Sequence, residues 1–307
     1  MDTTENFNNA ISHLLRCPKC KSKLLYLEGC RGLKCPIHGI YPVIDEIPCF
    51  VQSNHPENIN YHFDSHWDEN ITEQIPIQKQ LVAQEFLKPL FDCINLQKPA
   101  LLLDAGCGNG VHARVLSTQS WAKSSDFVGL DISLSALRSA ARDLHKSSWK
   151  FVQGDLGELP FEDGQFDAAF SFGAIAYTDN PLNSFSELCR VTKKGGLVGV
   201  WIYPKTGGLM GVLFSTIRSL CQVTGSVGSR LIADCIVPFL GVLPTRSGIN
   251  LANSTWKQCR EVVLVNIAPD QLFFPTTSEV ESWFSDYGLE IISQDDDNPI
   301  TIWGKKL

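Results

Sequence analysis

The stretch LLLDAGCGNG, residues 101–110, decides the reading of this chain. Three leucines and Asp104 lead into glycines at 106, 108 and 110. An apolar run ending in an acid reads as a buried strand, and the glycines read as a turn whose backbone must come close to something. A helix opening after the turn would offer free N–H groups and the positive end of its dipole. Strand, glycine-rich turn and helix in that order make a ligand site. A dinucleotide site wants Gly-x-Gly-x-x-Gly and an acid about 20 residues on. Here the spacing is Gly-x-Gly-x-Gly, with Val111 in the sixth position.

Outward from this turn, apolar runs alternate with amphipathic stretches. The runs 100–105, 127–132, 149–154, 166–172 and 196–203 predict strands, most of them apolar on both faces as parallel strands between helices are. Leu134, Leu137, Ala141 and Leu144 fall at helical spacing behind a Ser133 cap. Leu182, Phe185, Leu188 and Val191 do the same behind Pro181, with Gly195-Gly196 expected to stop that helix. The alternation predicts right-handed crossovers and a doubly wound, mostly parallel α/β sheet of seven strands. Near the end, Ser278 and Glu281 read as a capping box, and LEIISQD with ITIWGKK as a terminal strand pair.

Asp131 ends the second strand, where a carboxylate can accept from both ribose hydroxyls. Asp155 follows the third strand. Singly, Asp104 or Asp131 could be a helix cap and Asp155 part of a turn. Together, Asp104-x-Gly-x-Gly-x-Gly, Asp131, Asp155, the stretch LPFEDGQFDAAFSFGAIAYTDNP and RVTKKGGLVGVWIYPK resemble, in order, the class I S-adenosylmethionine-dependent methyltransferases (a Rossmann-like fold) from about residue 98 onward. The resemblance implies that the backbone at Ala105, Gly106, Gly108 and Gly110 meets the cofactor, with Asp104 holding its amino group. It implies ribose contacts from Asp131 and Ile132, adenine contacts from Asp155 and Leu156, and a contact from Ser171. The glycines would remove Cβ atoms that collide with the ligand. Cys107 reads as a small packing residue.

The chain has 307 residues, 44% apolar and 19% charged, and its net charge of -7 disfavours non-specific nucleic-acid binding. The N-terminus is polar. The longest apolar stretch, LIADCIVPFLGVLP, is broken by Asp234 and two prolines, so no membrane span is expected. Eleven cysteines without a secretory leader suggest reduced thiols and a cytoplasmic protein, some of the thiols on a metal. Three regions are expected: residues 1–50 cysteine-rich, 51–97 a linker and cofactor cap, and 98–307 the methyltransferase domain with an insertion at about 204–275.

Cys17-Pro-Lys-Cys20 and Cys35-Pro-Ile-His38 are two knuckles of paired ligands, a spacing that suits tetrahedral zinc, with Cys30 a spare ligand. The segment resembles the zinc ribbon ahead of some methyltransferases, the small ribbon proteins that activate tRNA methyltransferases, and the ribbon that helps bacterial ribosomal-RNA guanine methyltransferases hold RNA. Arg16, Lys19, Lys21, Lys23, Arg31 and Lys34 cluster here, while acids from Asp45 to Glu73 oppose them.

The stretch 59–71 resembles a segment that folds over the cofactor, making Trp67 a cofactor candidate and His62 and His66 pocket candidates. Tyr177 and Tyr203 are the other acceptor-side candidates; the histidines that follow the fourth strand in relatives are absent, and no catalytic base is named. The insertion is apolar and poor in acid, which suits a packing layer or an apolar acceptor. The expected function is methyl transfer from S-adenosylmethionine to a small molecule. The alternatives are an RNA base methyltransferase or a cofactor-binding subunit without activity of its own.

Overall fold

The computed structural model describes residues 11–27, 31–51, 77–93, 99–144, 148–203, 208–239, 256–267, 272–295 and 299–307. Cys30, His62, His66 and Trp67 lie outside these residues.

The first four strands, β1 (Leu25–Leu27), β2 (Gly32–Cys35), β3 (Gly39–Ile44) and β4 (Ile47–Pro48), form a small antiparallel sheet in chain order. Helix α1 (Ile77–Cys93) follows. Then come β5 (Leu101–Ala105), α2 (Val111–Ser117), β6 (Asp126–Asp131), α3 (Leu134–Asp143) and β7 (Trp149–Gln153). They are followed by β8 (Phe166–Phe172), α4 (Pro181–Val191) and β9 (Thr192–Ile202). Helices α5 (Gly208–Ile236) and α6 (Trp256–Ile267) form the insertion, and α7 (Thr277–Asp286), β10 (Leu289–Asp295) and β11 (Ile300–Lys306) close the chain.

The large sheet runs β10-β11-β9-β8-β5-β6-β7. The five strands β9 to β7 are mutually parallel, and β11 pairs antiparallel with both β9 and β10. This is the doubly wound, mostly parallel seven-stranded sheet that the alternation of runs predicts, and the class I methyltransferase fold that the resemblance implies. The order turns back between β5 and β8, the point at which ligands of doubly wound sheets bind beyond the carboxyl ends of the strands.

Burial on both faces explains the continuous apolar runs. One face packs Leu103, Val128, Val152, Val198 and Val200 against α4, α7 and the small sheet. The other packs Leu102, Phe127, Phe170 and Trp303 against α1, α2 and α3. Helix α1, which the polar flanks and Pro89 hid from sequence reading, inserts Phe86, Leu87 and Leu90 fully into this second core. Side chains of this size contribute roughly 1.5–3 kcal/mol each when buried. The Trp303 indole donates to the Phe86 carbonyl at 2.8 Å, just before Pro89 interrupts the helical ladder.

Three local expectations need correction. Helix α4 ends at Val191 and not at Gly195-Gly196, because Gln165 N–H donates to the Val191 carbonyl and starts strand pairing there. The two glycines instead sit in a bulge of β9, where a Cβ on Gly196 would lie 2.8 Å from the Asp167 carbonyl. Helix α7 starts earlier than expected: its capping box is Thr276 with Glu279, not Ser278 with Glu281. Leu182 is exposed, while Phe185, Leu188 and Val191 carry the buried face of α4. Ser133 does cap α3, accepting from Ala136 N–H.

The insertion holds a small core of its own, Cys221, Ala233, Val237, Cys259, Val263 and Ile267, and α5 breaks at Gly225, where φ is +65°. Among the described residues no helix is long and apolar enough to cross a membrane.

Candidate functional site

The glycine turn closes β5 at the switch point. Gly106, Gly108 and Gly110 all have positive φ, a region that side-chain-bearing residues rarely enter. Gly106 and Cys107 N–H donate to the Leu130 carbonyl at 2.7 and 3.0 Å, tying the turn to β6. At Gly106 and Gly110 the room left by the missing Cβ atom is taken by protein and not, as expected, kept for a ligand. A Cβ on Gly106 would lie 2.1 Å from that of Ala174, and one on Gly110 3.2 Å from that of Ala140. Cys107 is buried, and burial holds its thiol well above the usual range, as befits a packing residue.

Three acids stand at three neighbouring strand ends. Asp104 is fully buried at the end of β5, and neither carboxylate oxygen has a hydrogen-bond partner. The Ser171 hydroxyl, near the end of β8, is likewise buried and unpartnered. Orphaned acceptors and donors of this kind are costly unless something completes them. Asp131 accepts from Gly108 N–H (2.8 Å) through one oxygen and from Ser133 N–H (2.9 Å) through the other. An ionised carboxylate has about four lone-pair sites, so two backbone bonds leave capacity for a diol. Burial pushes Asp131 up to about 6, against the pull of those N–H groups. Asp155 accepts from Gly157 N–H at 2.7 Å and caps the short turn Leu156–Glu158, which buries Leu156. Ile132 offers its carbonyl to the Gln153 amide at 2.9 Å. Asp155 therefore does belong to a turn, which it caps, whereas α3 is capped by Ser133 and not by Asp131, and Asp104 caps nothing.

Sequence reading missed His112. This residue lies in the first turn of α2, buried among Phe86, Phe170 and Phe172, with ring centroids 4.8–5.8 Å away. Its Nδ1 stands 3.4 Å from Asp104 Oδ2, in ion-pair range though no hydrogen bond forms, and its Nε2 has no partner. The signal was its place two residues after Gly110, on the helix that the turn launches.

The ends of β8 and β9 carry an aromatic wall. Phe172 stacks on Trp201 at 4.1 Å and Trp201 meets Tyr203 edge-on at 4.5 Å. Tyr177 ends the turn Ile175–Tyr177, whose Ala174 fills the space beside Gly106. Burial first, and then Tyr203, hold the Tyr177 phenol above its ordinary value, so it remains a protonated donor through the neutral range.

The second cluster is in the small sheet. One ligand atom from each of Cys17, Cys20, Cys35 and His38 lies within 4.8 Å of the others. Cys17 Sγ is 3.4 Å and Cys35 Sγ 3.7 Å from His38 Nδ1, and the Cys20 and Cys35 sulfurs are 3.5 Å apart. A tetrahedron with metal–sulfur bonds of about 2.3 Å has edges of about 3.7 Å. The cluster is fused to the main sheet. Arg16 N–H donates to the Pro160 carbonyl at 2.8 Å and its side chain pairs with Glu162. Lys21 reaches the Leu159 carbonyl at 3.0 Å and Glu187 at 3.2 Å. Arg190 and Lys21 hold Glu187 below the usual carboxylate value despite its burial.

Residues 103–200 match a family model described as a methyltransferase domain. The chain is 28% identical over 160 residues to malonyl-[acyl-carrier protein] O-methyltransferase of Legionella pneumophila, covering 51% of this chain and 56% of that one. It is 30% identical over 149 residues to the 18S rRNA (guanine-N(7))-methyltransferase of Bos taurus, covering 44% and 50%. The chain thus spans about half the length of these relatives. The magnesium protoporphyrin IX methyltransferase of Synechocystis, solved with bound SAH, superposes with a TM-score of 0.50 at 14% identity over 81% of this chain and 98% of that one.

Proposed function

With its core a class I methyltransferase domain, we propose that this chain transfers the methyl group of S-adenosylmethionine to a small-molecule acceptor. The observation that carries the reading is the pair of orphaned polar groups, Asp104 and Ser171, flanking the switch point beside a turn of three left-handed glycines. The cofactor's ammonium group suits the Asp104 carboxylate, its ribose diol suits the remaining lone pairs of Asp131, and its adenine suits the turn that Asp155 caps. Ala105, Gly106 and Gly108 supply backbone at the same crevice, and Ile132 and Leu156 flank the nucleoside side.

When bound, the cofactor supplies a methyl group on a positively charged sulfur, which an acceptor attacks in line as the carbon–sulfur bond breaks. The chain's part is to fix the two partners in that line and keep water out, which can contribute roughly 7–11 kcal/mol. The glycine turn and β6 end hold one partner. Phe172, Trp201 and Tyr203 offer a dry wall to the other, and Tyr177 a phenol that orients it.

A structural zinc at Cys17, Cys20, Cys35 and His38 is part of this proposal. Four ligands leave no open coordination position, so the metal would hold the fold of residues 11–50 and carry out no chemistry. The wider domain reading follows from it: a ribbon at 1–50, a linking segment at 51–97 and the transferase from 98 with its insertion at 204–275.

Methyltransferases of ribosomal RNA are among the relatives, yet two of the six basic residues that favoured RNA are turned inward. Arg16 pairs with Glu162 and Lys21 with Glu187. The test is incubation of the protein and methyl-labelled S-adenosylmethionine with fractionated cell extract. Label in the small-molecule fraction is expected. Label in RNA would replace the acceptor assignment, and cofactor binding with no transfer in any fraction would favour a non-catalytic subunit.

A further inference from the structure

Helix α5 is apolar on two sides. Its inner side packs Ile217, Cys221, Ile232 and Ala233 into the small core of the insertion. On the outer side, before the break at Gly225, Val212, Thr216, Leu220 and Val223 fall at one helical spacing (i, i+4, i+8, i+11), and all four are exposed. After the break, Val227 and Leu231 repeat the spacing. Val223 is 87% exposed and Val227 71%, so neither is packed against the rest of the described residues. The hydroxyls on the exposed surface are satisfied inside the helix. Ser215 and Thr216 donate to the Val212 carbonyl at 2.8 and 2.9 Å, Ser219 to Ser215 at 3.1 Å, and Thr224 to Leu220 at 2.8 Å. From Gly208 to Ala233 the sequence has no acid. The first that follows, Asp234, accepts from the Trp256 indole at 2.8 Å and pairs with Arg260 at 3.5 Å. Arg230 is an exposed cation in the same stretch.

A helix that is apolar on both sides is stable in water only if the second side is covered as well. A protein partner brings donors and acceptors for surface hydroxyls to meet. A lipid bilayer brings none below its head groups, and there Ser and Thr bond back to their own helix, as they do here. An unpaired acid is costly at that depth, and this stretch has none. A long arginine stem lets a cation reach lipid phosphates while its neighbours are buried. A second copy of this chain would set an acid-free, cation-bearing face against its like, with no opposite charge for Arg230. The net charge of -7 keeps overall attraction to anionic lipid small, so apolar insertion has to supply most of the binding. We propose that the insertion is an interfacial anchor. Helix α5 lies on a phospholipid bilayer, with Val212, Leu220, Val223, Val227 and Leu231 dipped into the boundary between head groups and acyl chains and Arg230 on a lipid phosphate. It rests on the bilayer and does not span it. This goes beyond the methyl-transfer reading and does not depend on it.

Flotation of the full chain with phosphatidylcholine vesicles, with and without phosphatidylserine, tests it. The protein is expected to float with both, a few-fold more with phosphatidylserine, and to stay bound in high salt because the main contact is apolar. Val223→Glu with Val227→Glu should weaken binding to both vesicles at least about tenfold. Arg230→Gln should reduce the gain from phosphatidylserine and leave binding to phosphatidylcholine nearly unchanged. All three positions are exposed, so an unchanged melting temperature is expected and shows that each variant is folded. Val212→Glu, three turns from the break at Gly225, should act in the same direction and carries the test if the double variant melts early. Wild type that stays with neither vesicle, glutamate variants that float as wild type does, or binding abolished by salt would overturn the anchor. So would a wild-type dimer, measured by light scattering, that the glutamate variants turn into a monomer, because the face would then belong to a second copy.

Discussion

Asp131 Oδ2 accepts from the Gly108 N–H at 2.8 Å, so the acid at the end of β6 holds the glycine turn at the end of β5. One side chain thereby orders the turn and still has lone pairs to spare. Each oxygen already has a backbone donor, which fixes the carboxylate plane before any ligand arrives. Such preorganisation lowers the cost of binding.

The pH dependence of cofactor binding follows from this acid. Burial raises Asp131 from 3.8 to about 6. Stability contributed by this group is complete below about 3.8 and is lost as pH rises through about 6, because folding disfavours the charged form. Binding runs the other way, since ribose hydroxyls need an ionised acceptor. Affinity for S-adenosylhomocysteine should be level above about pH 7 and fall about tenfold per unit below pH 6, with proton release on binding. Calorimetry in buffers of different ionisation enthalpy reads both. Asp131→Asn should bind more weakly at pH 7.5 and show a flat profile; a sloping one would assign the titration elsewhere.

Gly106→Ala should disable the turn. The new Cβ would meet the Ala174 Cβ at 2.1 Å, and φ of +84° is strained for alanine by about 1–2 kcal/mol. Loss of more than tenfold in S-adenosylhomocysteine affinity and a lower melting temperature are expected. Adding Ala174→Gly removes the clash but not the strain, so the double variant should recover part of both. Identical behaviour of single and double variants would show that packing against Ala174 is not what the glycine serves.

His112→Ala should cost about 2–4 kcal/mol of stability, as truncation of a buried ring does, and leave Asp104 without the imidazole that stands 3.4 Å from its Oδ2. His112→Phe restores the volume among Phe86, Phe170 and Phe172 but not the ring nitrogens. Denaturant unfolding separates the two effects. If the phenylalanine variant matches wild type in stability and cofactor affinity, the ring serves packing alone.

Metal removal should reach the cofactor site. Phe50 N–H donates to the Gln153 carbonyl at 2.9 Å, and the Gln153 amide donates to Ile132, beside Asp131. Lys21 and Arg16 hold the segment from Leu159 to Glu162 that follows the Asp155 turn. Chelation, or Cys20→Ser, should release one zinc per chain, lower the melting temperature and weaken S-adenosylhomocysteine several-fold. Elemental analysis of the purified protein checks the first claim. A chelated protein with undiminished cofactor affinity would show that the two clusters are independent.

The fold was legible because its signals are local. Parallel strands buried on both faces must be apolar throughout, and a left-handed turn must be glycine, so β5 to β9 and the turn at 106–110 can be read along the chain. The paired cysteines were legible for the same reason: two ligands from one knuckle lie a fixed few residues apart. Other features depend on partners distant in sequence. Helix α1 is helical because Phe86, Leu87 and Leu90 find the core of β5, β8 and β11, and its polar flanks give no hint of that. The end of α4 is set by a hydrogen bond from Gln165, and the purpose of Gly106 by Ala174, far along the chain. Sequence alone determined which residues stand at the strand ends. Tertiary structure decided that Asp104 lies orphaned beside His112 and that Arg16 and Lys21 pair with Glu162 and Glu187. Those outcomes depend on charge and burial, which become properties of a residue only once its neighbours are in place.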